Sequence, residues 1–281
     1  MRRLTKETVE LDETYVEQKL IRRMTKALPY SPVSQSVLAR KRYKFGLPET
    51  MDLRRKCITA TDVSSIVHLV PGVRGDNKYR NAERLFRQKL EIESRPSTNP
   101  AMEHGLKYEN EALDVYSIIT GNAVFREIGF IKSQDAKYNF IGATPDAICI
   151  NYPVLVEIKC PFWHIPVPWK LDQVPDIYYP QVQLQMFVTG IRLTHFVRYK
   201  PQTLLKPGKI QIQEVAWDSE WFSKAWPHIC NFYRQMRAVQ NDHRLFKRLK
   251  EEYANKKVKR NKRHKVDTEN TEMRVCIIKD L

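Results

Sequence analysis

No stretch of this chain approaches the roughly 18 uninterrupted apolar residues that a membrane span needs, so no spanning helix is expected. The N-terminal MRRLTKETVELDE has no apolar run, and no secretory leader is expected there. Cysteine is sparse and unpatterned: five residues, at 57, 149, 160, 230 and 276, with no CxxC. An odd count at scattered spacings argues against a disulfide framework and a zinc site. It points to reduced thiols in an intracellular setting, nucleus or cytoplasm if the host is eukaryotic. No repeat recurs at a fixed period.

Acidic residues are also in deficit. Lys and Arg total 48 against 32 Asp and Glu, a formal charge of +16. Residues 240–265 hold eleven Lys/Arg and three acids, whereas residues 1–239 keep +10, so the excess is not confined to a tail. A basic body of this kind suits a polyanionic partner. Hydrophobic residues (42%) and aromatics (10%) suffice for a core over 281 residues, which excludes a wholly disordered chain.

Three regions are expected. Residues 1–50 read as a partly helical N-terminal extension, with a charged helix over 8–27 and a Pro/Ser loop, LPYSPVSQS, after it. Residues 51–240 read as the folded domain, and 241–281 as a basic, flexible C-terminal tail. Within the domain, Thr59 and Asp62 form a capping-box pair opening a helix, and residues 79–92 read as helical. Asn99-Pro100 opens another helix that Gly121 closes. Strands are expected at 123–131, 141–150 and 154–160, the last two as a hairpin across Asn151-Tyr152-Pro153. A Pro- and Trp-rich loop over 161–175 precedes a helix stopped by Gly190. Strands at 195–199 and 210–215 follow, then a long helix capped by Ser219 and kinked at Pro227. This order predicts an α+β fold with a central mixed sheet flanked by helices.

Polar residues at four places break core-building rules. In VLVEIKC, Glu157 and Lys159 share a strand face with Leu155, while Val154, Val156, Ile158 and Cys160 form the opposite, buried face. Asp146 lies eleven residues before Glu157, across the expected hairpin. Two carboxylates brought together repel unless a proton or cation sits between them, and hard oxygen ligands favour Mg²⁺, with Mn²⁺ as a substitute. Glu109 shares a helix face with Leu106, Leu113 and Tyr116, and Gln181 with Ile177, Leu184 and Val188. Each alone has a plain structural reading: a solvated strand face, a turn, a helix-edge ion pair. Four within 73 residues do not share one so readily.

Asp146 followed by Glu157-Ile158-Lys159 resembles the D…ExK motif of the PD-(D/E)xK nuclease superfamily. LRRKCITATDV (53–63), KYENEAL (107–113), ATPDAI (143–148), VEIKCPF (156–162) and YYPQVQLQMFVTG (178–190) resemble, in order, the blocks of its lambda exonuclease-like, YqaJ-type viral recombinase family. The resemblance implies that superfamily's core and a Mg²⁺-dependent 5′→3′ exonuclease acting on double-stranded DNA ends. Asp146 and Glu157 would ligate metal, with the Ile158 carbonyl and Glu109 completing its surroundings. Lys159 would orient or activate water, its pKa lowered beside metal, and Gln181 would hold Lys159 or that water. Arg54 would grip a 5′-phosphate with the Thr61 hydroxyl, Arg55 and Lys56 competing for the arginine's part. This basic triplet precedes a helix N-terminus near Thr59, itself a favourable place for an anion. A homotrimer and a single-strand annealing protein are further partners implied by the family. Trp163 and Trp169 could stack on frayed bases or simply pack. Two other functions remain open at this point: a structure-specific DNA endonuclease on the same core, and a non-catalytic DNA-binding recombination module.

Overall fold

A computed structural model describes residues 7–11, 31–44, 46–95, 97–162, 173–203 and 208–257. Its centre is a six-stranded mixed sheet. In spatial order it contains β1 (Glu7–Leu11), β10 (Gly208–Ala216), β9 (Leu193–Lys200), β8 (Leu155–Lys159), β7 (Ala147–Cys149) and β4 (Val124–Arg126). Within this sheet β8 and β9 run parallel and the other neighbours antiparallel, and Glu157 pairs with Phe196 across the parallel pair. A smaller four-stranded sheet orders β2 (Arg42–Tyr43), β5 (Phe130–Lys132), β6 (Ile141–Ala143) and β3 (Ile58–Thr59).

Successive residues of β8 serve two cores, as the two-residue period of a strand requires. Val156 and Ile158 pack beneath α5 (Pro100–Thr120), with its Leu113 and Tyr116. Leu155 faces the other way, into a core shared with Leu184 and Val188 of α6 (Tyr179–Thr189). Both faces of β8 are therefore dry, which makes the polar residues on it costly unless they are paired. The α5 and α6 boundaries follow local rules. The Asn99 side chain accepts from Met102 N–H at 2.9 Å ahead of Pro100, while Gly121 and Gly190 close the helices with φ of 78° and 80°. The α+β class, the β7–β8 hairpin and the strands at β9 and β10 match expectation, and β9 and β10 pair antiparallel.

Several expected elements differ. Within the 8–27 segment read as a helix, Glu7–Leu11 is a strand on the β10 edge, and residues 12–27 lie outside the described ones. Within the expected Pro/Ser loop, residues 28–30 are likewise undescribed. Ser31 caps α1 (Pro32–Leu38), its hydroxyl accepting from Ser34 N–H. The serine and proline act there as N-cap and first helical residue rather than as turn formers. The 123–131 strand is two strands in different sheets, broken where Glu127 and Gly129 adopt φ of 53° and 71°. A Cβ at Gly129 would lie 2.6 Å from the Tyr43 carbonyl oxygen, so this crossing needs glycine. The 141–150 strand likewise splits into β6 and β7, and Thr144-Pro145-Asp146 crosses between the sheets.

Downstream, Asp218 rather than Ser219 caps α7 (Ser219–Asn241), accepting from Trp221 N–H at 2.8 Å; the helix continues through Pro227. Residues 243–257 form one more helix, α8, within the segment read as a tail. The remaining helices are α2 (Pro48–Lys56), α3 (Ala60–Ile66) and α4 (Ala82–Lys89).

Candidate active site

Glu157 is fully buried in the central sheet, and its carboxylate is held from three directions. Oε1 accepts from Lys159 Nζ and from Gln181 Nε2, the latter at 2.5 Å; Oε2 accepts from Gln185 Nε2 at 2.7 Å. Gln181 and Gln185 are one turn apart on α6, so a single helix face supplies both amides. The sheet crossing aims Asp146 at the same strand, where its Oδ2 accepts from the Ile158 N–H at 2.6 Å.

The electrostatics bind these groups together. Burial raises the Asp146 carboxyl well above its ordinary range, and the Glu157 charge raises it further. Burial and then Glu157 raise Glu109, with Lys159 opposing. Three carboxylates from α5, the β6–β7 crossing and β8 thus lie in one field. Lys159 faces them as an ammonium. Burial pulls its pKa down, but Glu157 and Asp146 outweigh burial and raise it above the ordinary lysine value. The lowered pKa expected of Lys159 is one for a site that holds a metal. Its Nζ also lies 5.0 Å over the Tyr178 ring. Gln181, expected on Lys159 or on water, has its Nε2 on Glu157.

Among the described residues, no three His, Cys, Asp or Glu side chains stand in metal-holding geometry. The donor set nonetheless suits a hard cation: all-oxygen and acidic, with two carboxyls driven upward first by burial and then by the Glu157 charge.

The basic triplet divides. Arg54 Nη1 donates to Thr144 Oγ1 at 2.6 Å, and its guanidinium lies 5.2 Å over the Phe130 ring. Thr144 is two residues before Asp146, so Arg54 reaches the crossing that carries the carboxylate. Arg55 pairs with Glu91 and Lys56 with Asp52, both on the exterior. Thr61 is exposed, its hydroxyl 3.0 Å from that of Thr59. The capping box forms, with Asp62 Oδ2 accepting from Thr59 N–H at 2.9 Å.

A buried brace holds this corner. Lys89 Nζ lies 2.7 Å from Asp62 Oδ2 and donates to the carbonyls of Arg54 (2.8 Å) and Cys57 (2.5 Å). Burial would raise the Asp62 pKa, but Lys89 and Arg80 overcome it and hold the carboxyl far below the usual range.

The expected residues missed Gln185, Thr144, Tyr178 and Lys89. Gln185 had a signal, since it stands four residues after Gln181 on the same helix face. Trp163 and Trp169 lie outside the described residues.

A sequence model described as the YqaJ-like viral recombinase domain matches residues 51–192. Among solved structures, the alkaline exonuclease LHK-Exo of Laribacter hongkongensis superposes with a TM-score of 0.54 at 24% identity, covering 74% of this chain and 99% of that one. The structure of LHK-Exo in complex with dAMP gives the same values. A phage-related exonuclease from Haemophilus somnus 129PT is 12% identical with a TM-score of 0.46, over 66% of this chain and 96% of its own. No curated protein matches the chain.

Proposed function

The chain belongs to the YqaJ-like viral recombinase domain family, and from that premise we propose that it is a divalent-metal-dependent exonuclease that degrades double-stranded DNA from a 5′ end during viral or mobile-element recombination or replication. The observation that carries this reading is the single electrostatic cluster of Glu109, Asp146 and Glu157 with the Lys159 ammonium. The fold shared with LHK-Exo, named as an alkaline exonuclease and studied with dAMP, agrees with it.

Asp146 and Glu157 would hold Mg²⁺ or Mn²⁺ with the Ile158 carbonyl and Glu109, and the ion would supply a polarised phosphodiester and a more acidic water. Lys159 keeps positive charge beside the carboxylates, where it can orient attacking water and offset charge on the phosphate. Through its contact with Oε1 it compensates the buried Glu157 charge. Gln181 and Gln185 fix the plane of Glu157, leaving it no freedom to rotate away. Arg54, tied to the Asp146 crossing through Thr144, would receive a terminal phosphate with the Thr61 hydroxyl. Because the chain between Thr144 and Asp146 is so short, end binding and hydrolysis would be linked.

Two measurements test the proposal. Wild-type protein should digest linear duplex only with a divalent metal and leave closed circles intact, whereas circle cleavage would indicate an endonuclease. Mg²⁺ or Mn²⁺ should raise the melting temperature of wild type but not of Asp146→Ala. Equal shifts would remove Asp146 from the metal site, and nuclease activity undiminished by Asp146→Ala would leave a DNA-binding module.

A further inference from the structure

Helix α8 is docked by one face and cationic on the other. Leu245, Phe246 and Leu249 pack against Leu90, Met236 and Val239, and Arg87 lies 4.9 Å over the Tyr253 ring. These positions form one helical stripe. Arg244, Lys247 and Arg248 lie on the opposite, exposed side with Lys250 at its flank, and Lys256 and Lys257 extend the exposed charge. Glu251 and Glu252 are the acids of this helix. Arg248 and Glu252 approach only to 3.6 Å and are both exposed, a pairing of little worth.

The position of α8 matters as much as its charge. Its apolar stripe sits on Leu90, next to Lys89, whose ammonium holds the Arg54 carbonyl. The cationic ridge is thus mounted on the element that braces the proposed end-binding arginine. From Arg244 to Lys250 the helix rises about 9 Å. That matches about three nucleotides of one strand at roughly 3.4 Å each.

We infer that the outer ridge of α8, Arg244, Lys247, Arg248 and Lys250, is a second DNA-binding surface that grips phosphates of the duplex beyond the end bound at Arg54. The inference rests on the DNA-exonuclease reading and extends it to a surface that takes no part in the chemistry. Its contacts are with backbone charge, so they carry affinity without sequence preference.

The test is the salt dependence of binding to a 30-base-pair duplex without divalent metal. Wild type is compared with the quadruple variant Arg244→Gln, Lys247→Gln, Arg248→Gln and Lys250→Gln. Glutamine keeps helix propensity, and circular dichroism checks that α8 persists. Each released contact flattens the slope of log K against log salt by about 0.9, so the variant should be shallower by about 3.6. The charge-keeping exchange Arg244→Lys, Lys247→Arg, Arg248→Lys and Lys250→Arg should retain the wild-type slope, and kcat at saturating DNA should be unchanged in both. A glutamine variant with the wild-type slope, while wild type binds and digests duplex, overturns this inference alone. Wild type that neither binds nor digests duplex overturns the underlying reading as well.

Discussion

Gln185 Nε2 donates to Glu157 Oε2 across 2.7 Å inside the core. Without that amide, one oxygen of a buried carboxylate loses its partner. Gln185→Leu should lower stability by about 1–3 kcal/mol. It should also reduce activity roughly 10–100-fold, the usual effect of removing a group that orients a metal ligand. Urea unfolding and duplex digestion measure the two effects, and a variant unchanged in both would mean that Glu157 does not depend on Gln185.

Asp146 is held against its neighbours at an energetic disadvantage. Its folded pKa is raised above the unfolded value, so its contribution to stability declines as pH rises above the unfolded pKa and through the folded one. Asp146→Asn keeps an acceptor for the Ile158 N–H and deletes the charge. The metal-free variant should be more stable than wild type by about 1 kcal/mol or more, a shift of roughly 2–4 °C, with the gain growing toward alkaline pH while activity is lost. Melting curves in EDTA at several pH values decide it; a less stable Asp146→Asn would contradict the repulsion.

Arg54 and its two neighbours should behave differently. Arg54→Ala should slow digestion of 5′-phosphorylated ends far more than of 5′-hydroxyl ends, by about tenfold or more, the worth of one charge-assisted contact. Arg55→Ala and Lys56→Ala, which break exposed ion pairs, should each change stability by less than about 1 kcal/mol and leave that ratio alone. Rates on the two kinds of end decide which residue reads the phosphate.

Acid should weaken the fold through His195. Burial pushes this imidazole down to about 4, and its Nδ1 lies 2.7 Å from the Tyr116 hydroxyl. The unfolded chain takes up the proton near pH 6.5, before the folded one does, so stability falls as pH drops from about 6.5 to 4. The loss is on the order of 3 kcal/mol. His195→Gln should flatten that part of the urea-midpoint profile. An unchanged slope would place the acid sensitivity elsewhere.

What was legible in the sequence was local, or broke a local rule. Asn99-Pro100, Gly121 and Gly190 mark helix ends through backbone chemistry that needs no distant partner. Glu157 stood out because a carboxylate in an apolar strand violates core patterning, and sites are where such violations collect. The division of 123–131 and 141–150 between two sheets depends on pairing with β2, β3 and β7, which short apolar runs do not reveal. The Arg54–Thr144 contact joins residues 90 apart. In QVQLQ the alternation conceals that Gln181 and Gln185 face Glu157, while Gln183 turns to Ala216 and Asp218.

The most direct test is strand-resolved digestion of end-labelled linear duplex, with Mg²⁺, with EDTA and with Asp146→Ala. Wild type with Mg²⁺ should shorten each strand from its 5′ end, and the other two reactions should leave both strands at full length. Shortening from the 3′ end would contradict the polarity, and undiminished shortening by Asp146→Ala would contradict the carboxylate cluster as the seat of the reaction.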